Sequence, residues 1–329
     1  MRRKNLITLI IVLGVLVVIY LIQNLSTDRK TMSESLVDLC PDFNSSSVNQ
    51  IKVYKQAYPD SGLMFSKKDG LWLLESYFGA PARQSEIEKL LGDVKGLQGE
   101  IRSTNQELFG DFEITEDVAL HMEFVGVDSA PLIHILVGKG VPKACFARNN
   151  GSDTVFMANT NFVSRFAAWN AEPSKRMPGK RWAELTMTDF DKEKVNQIEL
   201  KINKKTYRFE KKEEISGDTL QTISFVWQQV EPSKGKLEEK KITDMLNRIS
   251  SLRGNEIIGN DTLKEYKLDK PSHVASVTTG DGVTASFNFG AFTDTTETTR
   301  YASIEGRPHV YKLAKYNFES IFVNPFKED

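Results

Sequence analysis

The chain has 329 residues, enough for about two domains of ~150 residues each. Hydrophobic residues make up 40% and charged residues 26% of it, a balance that excludes wholesale disorder. Of the 43 basic residues, three lie at the start: Arg2, Arg3 and Lys4. The rest of the chain has 40 basic and 44 acidic residues, so it lacks the basic character of nucleic-acid-binding proteins.

An apolar run, Leu6–Ile22, follows the basic start and is interrupted only by Thr8, Gly14 and Tyr20. Its 17 residues cross most of a hydrocarbon core about 30 Å thick. Because Ile19–Asn24 contains no small residue after which a signal peptidase could cut, the sequence predicts an uncleaved anchor over residues 1–25. The alternatives are a cleaved signal or a buried core helix. The basic start predicts that the N-terminus is cytoplasmic and the remaining chain extracytoplasmic.

Residues 26–42 are polar and are interpreted as a tether to a first domain over residues 43–170. Val48–Lys55 alternates as a strand does, and the segments on either side of Asp69-Gly70 predict a hairpin that contains Trp72. Ser85 and Glu88 have the spacing of a capping box at the start of a helix. The helix has five apolar residues on one face: Ile87, Leu90, Leu91, Val94 and Leu97.

Four more strands are predicted after this helix, around Leu120–Val125, Leu132–Val137, Cys145–Arg148 and Thr154–Met157. Asn161 then precedes a last helix that carries Phe162 and Phe166. Pro, Gly and basic residues concentrate in residues 171–188, which predicts a linker.

The whole pattern then recurs over residues 189–326. Val48-Asn49-Gln50-Ile51 is repeated as Val195-Asn196-Gln197-Ile198, and Trp227 corresponds to Trp72. The apolar helix face recurs as Ile242, Met245, Leu246, Ile249 and Leu252. The sequence therefore predicts an α+β protein with two tandem, mainly antiparallel-sheet domains, each with one long helix, behind a single-pass membrane helix.

No residue has the spacing of a catalytic, cofactor or metal site. The four histidines are His121, His134, His273 and His309, and none belongs to a metal-binding motif. No phosphate-binding loop or nucleophile elbow occurs. Glu231, Glu238 and Glu239 are interpreted as a solvated face, although a glycosidase-type carboxylate pair is recognised only in the fold. We therefore predict no enzyme, no cofactor and no metal.

Two further residue pairs leave alternatives. Trp72 and Trp227 could stack on a ligand, but their equivalent places in both repeats favour packing in the core. Cys40 and Cys145 could form a disulfide outside the cytoplasm, and the sequence leaves their pairing open.

A family resemblance rests on the repeated structural motifs. The hairpin tryptophan and the apolar helix are followed by an aromatic-x-aliphatic segment, Phe112-Glu113-Ile114 or Tyr266-Lys267-Leu268. A strand that ends in Gly138 or Gly290 comes next. The pattern resembles the bacterial envelope family catalogued as domain of unknown function 4340, over most of the chain. One departure is that Gly79-Ala80-Pro81 follows the first tryptophan and Glu231-Pro232-Ser233 the second.

Members of that family often accompany ABC-transporter permease and auxiliary components of the gliding-motility kind, and the family supplies no catalytic residues. The resemblance implies a non-catalytic accessory protein in the bacterial inner membrane, held by residues 6–22, with an ABC permease or auxiliary subunit as its partner. An extracytoplasmic polysaccharide- or peptide-binding module is the alternative, and an envelope hydrolase is a remote one.

Overall fold

The computed structural model describes residues 13–14, 36–168, 176–216, 222–231, 237–260 and 264–325. The predicted membrane span Leu6–Ile22 lies outside these residues except for Leu13 and Gly14, which are helical. Within the described ranges, no helix combines the length and the apolar character needed to cross a bilayer. The anchor therefore remains a prediction from the sequence.

The described chain forms two mostly antiparallel sheets, of ten and eight strands, with few helices. The strands of the first sheet are β1 (Leu36–Asp38), β2 (Gln50–Lys55), β3 (Leu63–Lys68), β4 (Leu71–Leu74), β5 (Ala80–Pro81), β6 (Gln98–Ser103), β7 (Leu120–Val125), β8 (Pro131–Val141), β9 (Ala144–Asn149) and β10 (Val155–Ala158). The strands of the second are β11 (Val195–Ile202), β12 (Lys205–Ser216), β13 (Thr222–Glu231), β14 (Glu256–Gly259), β15 (His273–Thr279), β16 (Thr284–Phe292), β17 (Thr299–Ile304) and β18 (Val310–Ala314).

Each repeat contains one helix of 12 residues and one shorter helix at its end. The helices are α1 (Gln84–Lys95), α2 (Phe162–Phe166), α3 (Glu239–Ser250) and α4 (Lys315–Ile321). Ser85 is the second residue of α1 and so does not precede the helix as the predicted capping box required.

The two sheets share one strand order. The first runs β1-β6-β10-β9-β8-β7-β2-β3-β4-β5, and the second, in reverse, runs β14-β18-β17-β16-β15-β11-β12-β13. If β11 is matched to β2, and so on along the chain, the second order equals the first without its two edge strands. The predicted tandem repeat is therefore confirmed at the level of sheet topology.

The apolar helix faces pack as predicted, with one correction. All five residues of the first face are buried, and Ile242, Met245, Ile249 and Leu252 are buried in the second. Leu246, which we predicted to be a core residue, is only half-buried. Its counterpart Leu91 is the most exposed of the first face at 8%. Successive residues of a helix are rotated by about 100°, and this rotation places both leucines at the edge of the apolar stripe.

The aromatic-x-aliphatic segments form a second repeated feature. The middle residue has a positive φ in both repeats, 56° at Glu113 and 58° at Lys267. The preceding aromatic rings pack on β9 and β17: Phe112 lies 4.5 Å from Phe146, and Tyr266 lies 4.2 Å from Tyr301, between ring centroids.

A glycine in the following strand makes room for each of these segments. A Cβ atom on Gly138 would lie 2.1 Å from the carbonyl oxygen of Phe112. One on Gly290 would lie 2.1 Å from the carbonyl oxygen of Tyr266. Since no side chain fits at that distance, the motif that carries the family resemblance is a backbone contact that only glycine permits.

The described chain divides into two compact units. The first unit consists of Met1–Trp72 and Gln84–Pro178, and the second unit of Leu73–Arg83 and Gly179–Asp329. The division between positions 178 and 179 falls in the segment predicted to be a linker. The domain boundaries predicted from the sequence otherwise remain predictions.

The segment Leu73–Arg83, called the strap here, is part of the second unit although the first repeat encodes it. Its backbone forms hydrogen bonds with residues that follow position 179. Arg83 N donates to Trp182 O at 2.6 Å, and Glu184 N donates to Pro81 O at 2.7 Å. The Tyr77 hydroxyl donates to Glu256 at 3.2 Å. These bonds indicate that the second unit is incomplete without the strap.

Candidate functional site

One candidate surface is the edge of the second sheet. Strand β13 lies at the end of the strand order, and β12 is its only sheet neighbour among the described residues. Its ten residues contain one charged side chain, Glu231, and neither proline nor lysine. Natural sheets usually protect such edges with charges, proline or a covering segment, because unpaired backbone groups bind further strands. We call Thr222–Glu231 the open edge.

The open edge belongs to a hairpin that is longer than its counterpart. Strands β12 and β13 have 12 and 10 residues, whereas β3 and β4 have 6 and 4. In the first sheet, β4 is paired on its outer side by β5. Phe225 on the open edge is 56% exposed, with the Lys211 ammonium 5.2 Å from its ring centroid. A long edge strand with one charge, and with no further strand on its outer side among the described residues, is a clear difference between the second repeat and the first.

The acidic residues do not form a recognisable acid–base pair. An open cleft of about 520 Å³ in the second unit is lined by Asp189, Asp281, Glu305 and Arg307, among others. Arg307 forms an ion pair with Asp189 at 2.5 Å. The Thr279 hydroxyl donates to Asp281 and lowers the pKa of that carboxyl. A general acid requires a raised carboxyl pKa, so this environment acts in the opposite direction.

The glutamates near α3 behave as a solvated face. Glu231 is paired with Arg208 at 3.5 Å, and its side chain is 49% exposed. Glu238 is paired with Lys241 at 3.0 Å, and its side chain is 39% exposed. Over the described part of the chain, no three His, Cys, Asp or Glu side chains are placed to hold a metal ion.

The structure brings two histidines together that sequence spacing did not connect. His121 on β7 and His134 on β8 lie with Nδ1 and Nε2 3.0 Å apart. His121 Nε2 is 2.6 Å from the Glu116 carbonyl, which can only accept, so Nε2 carries the proton. With Nε2 committed to that carbonyl, His121 shares the hydrogen bond to His134 through Nδ1. The available signal was that the two histidines lie in consecutive predicted strands, which the structure pairs with each other.

Tyr54 and Glu123 extend the histidine pair across the sheet. The Tyr54 ring stacks on His121 with centroids 4.9 Å apart, and its hydroxyl donates to Glu123 at 2.5 Å. Burial and Glu123 raise the pKa of Tyr54, and burial lowers the pKa of His134. Strand register places Val274 and Ser286 at the equivalents of the two histidines. The network is thus confined to the first repeat.

His273 and His309 lie in the second unit, and neither has a histidine at its equivalent. His309 Nε2 donates to the Phe78 carbonyl in the strap at 3.3 Å. His273 packs edge-on against Phe318 and Phe322, with centroids 4.9 Å apart in each case. Burial lowers the pKa of both histidines. These contacts place both rings in packing roles.

The tryptophans divide between core and surface. Trp72 is 4% exposed, and its backbone is bonded at both N and O by the Gln84 side chain, at 3.0 and 3.1 Å. Trp227 is half-buried, so our prediction of a core tryptophan is wrong at that position. The reason is the longer hairpin, which carries Trp227 beside the exposed Phe225.

The two cysteines are free thiols, and both are buried. The Cys145 thiol donates to the Thr160 carbonyl at 3.0 Å. Burial raises the pKa of Cys40 and of Cys145 to about 12 in each case. Thiols of this kind are poor nucleophiles at neutral pH.

Comparison with known proteins identifies a family and no function. The family model described as "Domain of unknown function (DUF4340)" matches residues 72–271 and 227–327, two overlapping segments consistent with two tandem copies. No curated protein and no solved structure matches the chain. The matched residues cover more than half of the chain and include Trp72 and Trp227, both long helices and both glycine-supported segments, so the chain belongs to the DUF4340 family.

Proposed function

We propose that this protein is a membrane-anchored, non-catalytic accessory protein of the bacterial cell envelope that binds a membrane-protein partner. Residues 6–22 hold it in the inner membrane with a cytoplasmic N-terminus, and the two repeats lie outside the cytoplasm. The partner is a permease or auxiliary subunit of an ABC-type transport or gliding-motility-type complex. The resemblance of the chain to a family whose members often accompany such components supports this choice of partner.

The open edge is the observation that carries the proposal. Among the described residues, no strand pairs with the outer side of this ten-residue strand, which carries one charge, so that side can accept a further strand. An extended segment of a partner can bond its backbone groups as a further strand, and the side chains of alternate residues then give specificity. Phe225 supplies an exposed apolar contact on the same strand.

Tethering lowers the affinity that such an interface needs. Two proteins confined to one membrane meet at a high effective concentration, so a short strand pairing is sufficient for association. The predicted anchor and the open edge therefore support the same conclusion by independent routes, one from the sequence and one from the fold.

The test is affinity purification from gently solubilised membranes. The full-length chain should recover permease or auxiliary subunits, and a version without residues 1–25 should recover far less. A Phe225→Lys/Gln228→Lys variant should also lose the partner, because charges on both faces of the open edge oppose strand addition. Each new lysine lies opposite a glutamate of β12, Glu213 or Glu210, so the hairpin itself keeps favourable cross-strand pairs.

Leu71→Lys is the matched control. Leu71 is 59% exposed and lies on β4, the counterpart of the open edge. This variant adds one lysine, against two in the open-edge variant, at an apolar position as exposed as Phe225, and should keep the partner. Equal recovery by all variants, or recovery of no transport component by any, would contradict the proposal.

The 520 Å³ cleft favours a second candidate, an extracytoplasmic module that binds polysaccharide or peptide. Its carboxylates and the Arg307 guanidinium offer hydrogen-bond groups to a polar ligand. The soluble form without residues 1–25 should then bind envelope glycan or peptide fragments in calorimetry, and Arg307→Gln should weaken that binding. Binding of this kind without a membrane partner would replace the first proposal by the second.

A further inference from the structure

Arg300 on β17 is held against aromatic rings. Its guanidinium carbon lies 4.0 Å from the ring centroid of Phe318 on α4 and 4.4 Å from that of Phe292 on β16. The side chain is half-buried. Contacts of this kind fix the plane of a guanidinium while leaving the N–H groups at its edge for other partners.

The guanidinium has no hydrogen-bond or ion-pair partner among the residues that the structure describes. Its Nε is buried and unbonded. Glu297 is the nearest carboxylate to influence it, and burial still lowers the pKa of Arg300 overall. A charged group taken partly out of water with one buried donor unbonded destabilises a fold, and its two terminal nitrogens stay available to a partner.

The surroundings are cationic and aromatic. His273, whose pKa is lowered by burial and by Arg300, packs against Phe318 and Phe322. The Lys315 ammonium lies 5.7 Å from the Phe292 ring centroid and is also 3.8 Å from Glu319. The neighbourhood thus combines positive charge with half-buried aromatic rings, which suits an anion attached to an apolar group.

The first repeat shows that the fold does not require this arginine. Strand register places Cys145 at the equivalent of Arg300, and Gly140 at the equivalent of Phe292. Leu120 stands where His273 stands, and Cys145 is fully buried. The equivalent positions of the two repeats therefore hold uncharged residues in the first and an unpaired cation in the second.

We propose that Arg300 anchors a binding site for an organic carboxylate with an apolar body, whose carboxylate pairs with the guanidinium and whose apolar part packs against the edges of the Phe292 and Phe318 rings that the guanidinium does not cover. The site is independent of the open edge and of the accessory function proposed above. A planar carboxylate matches the fork of guanidinium donors in a bidentate pair. Inorganic phosphate would meet the charge but leave the ring surface unused.

The test is titration calorimetry on the full-length protein in detergent, with phenylacetate as probe. Inorganic phosphate and the neutral 2-phenylethanol are the comparison ligands. Phenylacetate should bind at one site per chain, at least about tenfold tighter than either comparison ligand. This ratio corresponds to a difference of about 1.4 kcal/mol in binding free energy. Equal binding of phenylacetate and 2-phenylethanol, or equal binding of phosphate, would overturn the carboxylate assignment.

Arg300→Gln should abolish the phenylacetate signal, and Arg300→Lys should weaken it because the fork is lost. Arg248→Gln is the matched control: Arg248 lies 4.4 Å from the Tyr316 ring centroid but has partners in Tyr316 and Asn317. This control should bind phenylacetate as the parent does. Unchanged binding in Arg300→Gln would overturn the proposal.

A stability measurement separates a ligand-binding arginine from a structural one. Without ligand, Arg300→Met should leave the melting temperature of the second unit unchanged or raise it, because an unpaired, half-buried charge is removed. A clear fall in that temperature would show that Arg300 supports the fold, and would contradict the inference.

Discussion

The two repeats have one backbone plan and different polar surfaces. Their sheets share a strand order, and Gly138 and Gly290 make the same close contact with the preceding segment. The His121–His134 pair has Val274 and Ser286 at its equivalents. Arg300 likewise has Cys145 at its equivalent.

The difference indicates which features each repeat needs to fold. Positions that both repeats keep are those where the backbone admits few residues, such as the glycines and the buried helix face. At positions that differ, the backbone admits several kinds of residue, so the side chains there indicate the separate function of each repeat. The open edge and Arg300 both lie in the second repeat, which makes it the better candidate for binding.

The largest expected effect is on the shared helix faces. Leu90→Ala and Met245→Ala should each lower the unfolding free energy of their own unit by about 2–5 kcal/mol, because both side chains are fully buried. Leu246→Ala should cost clearly less, since Leu246 is half-buried. Hydrogen exchange resolved by peptide would measure each unit separately. Equal losses for Met245 and Leu246 would show that the second helix packs differently.

The shared glycines should come next in size. Gly138→Ala and Gly290→Ala should each destabilise by about 1–3 kcal/mol or more, because a carbonyl oxygen occupies the place of the new methyl group. Gly92→Ala is the control: nothing lies within 4 Å of its added Cβ, and alanine favours the interior of α1. It should stabilise the first unit. Tolerance of alanine at either strand glycine would remove the backbone explanation of the motif.

The strap lies in the first repeat of the sequence but in the second compact unit of the structure, and a substitution in it tests this assignment. Tyr77→Ala should destabilise by about 0.5–3 kcal/mol. The loss should appear in the second unit, because Tyr77 bonds Glu256 and its ring lies against Gly179. Faster hydrogen exchange in residues 179–325 would confirm this. Faster exchange confined to the rest of the first repeat would assign the strap to the first unit instead.

Part of the fold could be predicted from the sequence. The helix faces, the hairpins and the duplication follow from periodicity and turn chemistry, which are local signals. The strap was missed because its partners, such as Trp182 and Glu256, lie about 100 or more residues away along the chain. The histidine pair and the unpaired Arg300 depend on strand register, which a single sequence specifies only weakly.

The smallest effect expected is a pH dependence specific to the first repeat. Burial lowers the pKa of His134 below its ordinary value of 6.5, although Glu123 and Glu116 oppose this and His121 and Arg148 add to it. The unfolded chain therefore binds more protons as the pH falls below about 6.5, so stability falls there and levels off below the pKa of the folded state.

His134→Gln should make the unfolding free energy of the first unit less dependent on pH between pH 7 and pH 5. Denaturant titrations at both pH values would measure it. The second unit, which keeps His273 and His309, should retain its own acid destabilisation in the same variant. An unchanged slope for the first unit would mean that His134 does not titrate differently on folding.

Site-specific photocrosslinking in intact membranes tests most directly whether the second repeat binds the partner. A photoreactive residue at Phe225 or Gln228 on the open edge should form crosslinks to a membrane-protein partner. The same residue at Leu71, on the covered counterpart strand, should form few or none. Crosslinks of equal strength from Leu71, or none from the open edge in membranes that contain the transport components, would contradict the account.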